Sequence, residues 1–245
     1  MQNSHATGNV SIRARIKTES GFPYRLARSA YHGLNNFSLP VPAIACGISW
    51  NVVRLIVRGY YWAKSSLLVT PLYRGLCSKV GKNFKAGTFL PYVEGKGKIF
   101  VGDNVRFDGK QSMIFASIRR EIPEIHIGDN CGFGHNVIFD IAGKLVIGKN
   151  CLIAGGVLLQ DYGGHSIVPE KRAAGELPTE KEVRDVTIGD NVWIGTGAYI
   201  APGTVIGDNC VIAANTSVGR RIPPNSLVYP SPAKVVQIRN ISNII

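Results

Sequence analysis

At 245 residues and a formal net charge of +12, the chain is long enough for one large domain or for a domain with an extension. The charge is uneven: residues 1–100 hold fourteen Lys/Arg against Glu19 and Glu94 alone, whereas residues 101–245 hold fourteen of each sign. A basic segment on a neutral body points to a polyanionic surface, an anionic membrane or an acidic glycan and not nucleic acid, with a solubilising arm as the plain alternative.

Residues 1–42 are poor in apolar side chains and are expected to form a mobile basic arm. The first 20 residues are polar and basic, which predicts no secretory leader there, and no apolar run is long enough to predict a spanning helix. Residues 43–95 read as an amphipathic helical extension. Ile48, Val52, Leu55, Ile56 and Tyr60 share one helical face, and Arg54 and Arg58 share another. Thr70-Pro71 is expected to cap and open a second short helix, with Gly81 as its stop. With Trp50, Tyr60, Tyr61 and Trp62 nearby, this extension suits either a bilayer interface or the cap of a repeat domain.

From residue 96 to 221 the pattern changes. An aliphatic residue followed by Gly-Asp-Asn or Gly-Lys-Asn occurs at Val101–Asn104, Ile127–Asn130, Ile147–Asn150, Ile188–Asn191 and Ile206–Asn209. The beat of six is clearest at Ile188, Ile194, Ile200, Ile206, Ile212 and Val218. A period of six fits neither a helix nor an alternating strand. It suits a solenoid in which each hexad is a short strand plus a turn and three hexads close a triangular coil. About five coils from Ile99 would build a prism roughly 24 Å long. Insertions are expected at 117–124 and 161–185, and residues 222–245 are expected to be a proline-broken tail. Cys131, Cys151 and Cys210 each follow the Asn of a turn, so they read as small core residues in a reducing compartment, not as ligands.

The stretch from about Ile125 to Arg239 resembles the hexapeptide-repeat, left-handed β-helix acyltransferases, in particular the galactoside, maltose and xenobiotic O-acetyltransferases. The resemblance is carried by Val186–Gly203, Ile206-Gly-Asp-Asn209, Ile222-Pro-Pro-Asn225 and Ser231-Pro-Ala-Lys234. It implies a left-handed parallel β-helix, a homotrimer with sites between adjacent prisms, acetyl-CoA as donor and a sugar or glycan hydroxyl as acceptor. It also implies His165, in the long break, as general base; an unperturbed imidazole suits that task near neutral pH. Asn136 matches an acceptor-positioning residue, and Asp140 falls close to an acceptor carboxylate. Asp161 and Tyr162 stand where they would orient His165 or touch the acceptor. Trp193, Gly195, Thr196 and Ala214 match the pantetheine groove, with a glycine amide as an oxyanion donor. Arg220, with Arg221 and Lys234, matches the region of the CoA phosphates.

The basic extension adds the expectation of a cytoplasmic protein touching the inner face of the membrane, where surface glycans are assembled. Other readings remain. One is N-acetylation of a nucleotide-linked amino sugar. Another is a non-enzymatic scaffold. The third is a zinc site of the γ-class carbonic anhydrase kind, with His126, His135 and His165 converging across a subunit interface, which the absence of ligand-like spacing disfavours; no metal is expected.

Overall fold

The computed structural model describes residues 21–37, 43–119 and 121–230. The chain falls into two compact units, one ending at Ile56 and the other beginning at Val57. In the first, helix α1 (Phe22–Asn35) lies inside the stretch expected to lack regular structure. Gly21 stands at its N-cap and Pro23 in its first turn, a position where the missing N–H costs nothing.

Helix α2 (Ala43–Ala63) does not stop before Thr70. It passes through a π-helical stretch, Lys64–Val69, into α3 (Thr70–Leu76). Thr70 therefore caps nothing. Its hydroxyl accepts from Ala86 N–H at 3.0 Å and donates to Ala86 O at 3.3 Å, and Ser65 also donates to that carbonyl. Gly81 is likewise not the helix stop, since Cys77 is already extended. Gly81 turns a corner of the first coil, where a Cβ would run into Asp103 Oδ1 and the Gly102 backbone.

The rest of the second unit is the solenoid. Parallel strands stack into three faces of seven, seven and six strands. The first face runs from Lys79–Val80 to Arg221–Ile222, the second from Lys85–Ala86 to Leu227–Val228, and the third from Tyr92–Glu94 to Ser217–Val218. This is the left-handed β-helix arrangement, with six full coils and two faces of a seventh. The prism thus starts one coil before Ile99, and the segment after residue 221 contributes the strands Arg221–Ile222 and Leu227–Val228 instead of leaving the repeat at once. The prolines are tolerated because Pro223 and Pro224 fall between the two strands.

Every corner between the first and second faces is turned by an asparagine. Asn83, Asn104, Asn130, Asn150, Asn191, Asn209 and Asn225 all have φ between 56° and 60°. Each Nδ2 donates to the Oδ1 of the next asparagine, in six bonds of 2.9–3.0 Å. Asp103, Asp129, Asp190 and Asp208 accept a backbone N–H from the preceding coil at 2.7–2.9 Å. The Gly-Asp-Asn motif is therefore a tie rod along one edge.

Inside, Ile125, Leu145 and Val186 form one column of fully buried aliphatic residues and Ile147, Ile188 and Ile206 a second, each residue contributing about 1.5–3 kcal/mol. Cys131, Cys151 and Cys210 are buried among them. Each thiol faces a carbonyl of the next coil at 3.1–3.2 Å, respectively Gly148, Gly189 and Pro223. At the start of the prism the filling is aromatic. Tyr73 of α3 rests 6.1 Å from Phe84 and 5.5 Å from Phe107, and Phe107 leads on to Phe133 at 5.0 Å. With Val69 also buried, this end of the helical extension covers the open first coil.

Both insertions leave from the corner between the third and first faces. They clasp each other: Arg119 donates to Asp185 Oδ1 at 2.7 Å and to Val183 O at 2.8 Å. The longer one contains helix α4 (Pro169–Ala173) and a 3₁₀ turn, Glu180–Glu182, opened by a Thr179–Glu182 capping box.

Candidate functional site

The corner between the second and third faces gathers several of the expected residues. Asn136 turns it with φ 63°, Gly156 and Gly197 with 70° and 69°, and Asn215 with 55°. Backbone bonds tie the levels together: Gly156 N–H to His135 O at 2.9 Å, Gly197 N–H to Gly155 O at 3.0 Å, and Asn215 N–H to Thr196 O at 2.8 Å. Asn136, Thr196 and Ala214 therefore stand along one edge, Asn136 two coils, about 10 Å, below Thr196. Trp193 projects from the adjoining second face, 52% exposed, with Leu152 and Val211 on either side in register.

Gly195 belongs to this neighbourhood but in another role. It is buried, its N–H donates to Ile212 O at 2.7 Å, and a Cβ would lie 2.5 Å from Ala214 N. The glycine lets two coils stack, and its amide is already spent, so it offers no oxyanion donor. The basic residues are dispersed. Arg220 is exposed at the corner after the third face, and Arg221 lies on the first face opposite Val205, away from Trp193. Lys234 lies outside the described residues.

The third face carries a polar network. Asp140 accepts from Tyr162 OH at 2.6 Å and from Gln160 Nε2 at 2.8 Å, and Gln160 Oε1 accepts from Tyr199 OH at 3.1 Å. Burial and then the Asp140 carboxylate push both tyrosines above the usual phenol range. Gln160 and Tyr199 were not anticipated. They are in phase with Asp140 on the outward side of successive strands, a signal that needs the coil register to be seen.

Asp161 is fully buried, and its two oxygens accept the N–H groups of Ala142 and Gly143, each at 2.7 Å. It anchors the root of the long loop and is not bonded to an imidazole. Burial outweighs the two amide donors and raises its carboxyl to about 6.

His165 follows in that loop, exposed, with its backbone N–H on Gly163 O at 2.8 Å and no hydrogen bond to its ring among the described residues. The other two imidazoles of this unit are committed. His126 lies stacked on Phe100, centroids 4.5 Å apart, with Nε2 2.9 Å from Glu124. His135 Nδ1 accepts Lys110 N–H at 3.2 Å while Phe89 meets the ring edge-on. His126 lies on the first face and His135 at the corner beside Asn136, and among the described residues no group of His, Cys, Asp and Glu is arranged to hold a metal ion. His165 is the solenoid imidazole with both ring nitrogens available.

Residues 185–220 match the family described as bacterial transferase hexapeptide (six repeats), and residues 124–160 match the hexapeptide repeat of succinyl-transferase. These two stretches carry hexapeptide repeats. Over 113 residues, 46% of the chain, it is 44% identical to YJL218W of Saccharomyces cerevisiae and 40% identical to galactoside O-acetyltransferase of Escherichia coli. The matched region spans about half the length of these relatives, 55% and 53%. Among solved structures, a variant of the Bacillus cereus N-acyltransferase AntD, bound to dTDP-4-amino-4,6-dideoxyglucose and coenzyme A, superposes with a TM-score of 0.50 at 18% identity. That match covers 71% of this chain and 90% of the other, and it establishes likeness of fold.

Proposed function

We propose that the protein is an acetyl-CoA-dependent O-acetyltransferase acting on a sugar hydroxyl of a glycan or glycolipid, with His165 as general base. The observation that carries this reading is the uncommitted His165 ring at the longest break of a solenoid akin in sequence to galactoside O-acetyltransferase. His165 takes the proton of the acceptor hydroxyl as its oxygen attacks the thioester carbonyl. It returns that proton to the departing thiolate sulfur, giving the acetyl ester and free CoA. No acyl-enzyme is needed.

The exposed Trp193 and the small edge residues Thr196 and Ala214 offer a shallow, flat strip suited to the pantetheine arm. Asn136 and the carboxylate of Asp140, positioned by Tyr162, are the acceptor-side groups. Arg220, Arg221 and Lys234 are assigned to the CoA phosphates. Since Arg221 is on another face from Trp193, the site is completed between copies, as in a homotrimer.

The test is acetyl transfer to a panel of galactosides and glucosides, followed through released CoA thiol. His165→Ala should lower turnover about 10²–10⁴-fold while acetyl-CoA still binds. Unchanged turnover in that variant would remove His165 from the chemistry. Loss of the product's acetyl group in mild base identifies an ester; survival would move the reading to an amine acceptor.

A further inference from the structure

Past Val57 the helical extension has two unlike sides. Ser65, Val69 and Tyr73 are buried against the first coil, whereas Tyr60, Trp62, Leu67, Leu68, Leu72 and Leu76 are all 40% or more exposed. A fold that merely capped its first coil would not need a tryptophan and four leucines facing water. Beside this surface lies a cleft of about 280 Å³ whose lining includes Tyr61, Trp62, Ser65, Lys85 and Arg106. Lys85 and Arg106 are neighbours in strand register on the second face. Arg106 gives Nε to Asp108 at 2.7 Å, which leaves its two Nη groups to meet a second anion.

The helical segment and the first two strands of this end carry charge of one sign, with Asp108 the carboxylate of the adjoining cleft. Between Val57 and Thr88 the sequence holds Arg58, Lys64, Arg74, Lys79, Lys82 and Lys85, and neither Asp nor Glu. A second copy seated on the same patch through a two-fold axis would bring these like charges together. Nucleic acid would satisfy the charges but leave the leucines without a partner. An anionic lipid surface satisfies both, since leucines enter the acyl boundary, tyrosine and tryptophan sit at headgroup depth, and each cation near the surface adds attraction. Among the described residues no helix is long and apolar enough to cross a membrane, so the contact is one of lying on the surface.

We propose that the helix-capped end of the solenoid is a docking surface for an anionic phospholipid bilayer, with Lys85 and Arg106 holding a headgroup phosphate in the cleft beside Trp62. The proposal is independent of the acetyl-transfer reading. It is tested by floating the full chain with vesicles of phosphatidylcholine alone and of an equal mixture with phosphatidylglycerol. Binding is expected to the mixed vesicles and to weaken as salt rises. Lys85→Glu/Arg106→Glu and Trp62→Ser/Leu67→Ser should each lower partitioning about tenfold or more. Circular dichroism checks folding, and the charge variant, which touches no buried residue, keeps the test decisive if the apolar variant misfolds. Equal binding to neutral and mixed vesicles, or unchanged partitioning of the charge variant, would overturn the proposal. So would failure to bind any vesicle while the apolar variant lowers the sedimenting mass, which would assign the surface to a second copy.

Discussion

Asn150 is the middle link of the asparagine ladder, and replacing it separates two contributions that the ladder combines. It sits at φ 57°, donates to Asn191 Oδ1 at 3.0 Å and accepts from Asn130 Nδ2 at 3.0 Å. Asn150→Ala keeps the backbone bond from Asn150 N–H to Asp129 O at 2.9 Å but removes both side-chain bonds. Each is worth about 0.5–1 kcal/mol at this exposed edge. Alanine also brings the left-handed penalty of about 1–2 kcal/mol, part of which asparagine avoids. The expected loss is about 2–3 kcal/mol, close to the sum of these effects. Asn150→Gly loses the same two bonds and escapes the strain, at an entropic cost of about 0.5–1 kcal/mol. It should therefore fall about 0.5–1 kcal/mol short of the alanine loss. Denaturant unfolding of the three proteins in one buffer measures both differences. If glycine proves as damaging as alanine, or worse, the left-handed corner is not what asparagine supplies, and the reasoning fails.

The carboxyl of Asp161, raised to about 6 by burial, gives a pH signature. Its contribution to stability is fully present below the unfolded value near 3.9 and is lost as pH rises through about 6, an effect of about 3 kcal/mol. The stability of the wild type relative to Asp161→Asn should accordingly decline between about pH 4 and pH 7; a constant or growing difference in denaturant titrations would refute the assignment. Tyr162→Phe removes the 2.6 Å bond to Asp140. It should cost about 1.5–3 kcal/mol and raise the acceptor KM without changing acetyl-CoA affinity, so steady-state kinetics with a weakened donor affinity instead would move Tyr162 out of the acceptor side.

The solenoid was legible because its rule is local. An aliphatic residue, a glycine and an asparagine at a fixed spacing state the inward side chain and the left-handed corner together. The first coil escaped because its corner, Val80-Gly81-Lys82-Asn83, stands directly after a helix. There Gly81 also reads as a helix stop, although the motif repeats Ile147-Gly148-Lys149-Asn150 with one aliphatic residue exchanged. The last corner was hidden by Pro223 and Pro224, which argue against strands unless the corner between them is known.

Helix α1 was missed because Arg25, Arg28 and the low apolar content of the surrounding arm dominate a segment-wide reading, whereas α1 is short and amphipathic. The continuity of α2 into α3 was missed because Thr-Pro is as acceptable inside a first turn as at a start, and only Ala86 on the solenoid shows what Thr70 bonds to. The same limit governs the site. Trp193 and Thr196 share the stretch Val186–Gly203, and Ala214 stands one coil further along the same edge. The Asp140–Gln160–Tyr199 network joins three coils, and the role of Asp161 lies with amides some twenty positions back. Hexad phase places a residue on a face but does not say which coil its hydrogen bonds reach.

The central claim, a donor site for acetyl-CoA on the strip beside Trp193, is tested most directly by calorimetric titration of the full chain with acetyl-CoA, alongside Trp193→Ala. The account predicts saturable binding that Trp193→Ala weakens while the melting temperature stays unchanged. Absence of binding to the folded protein, or equal affinity in the variant, would contradict it.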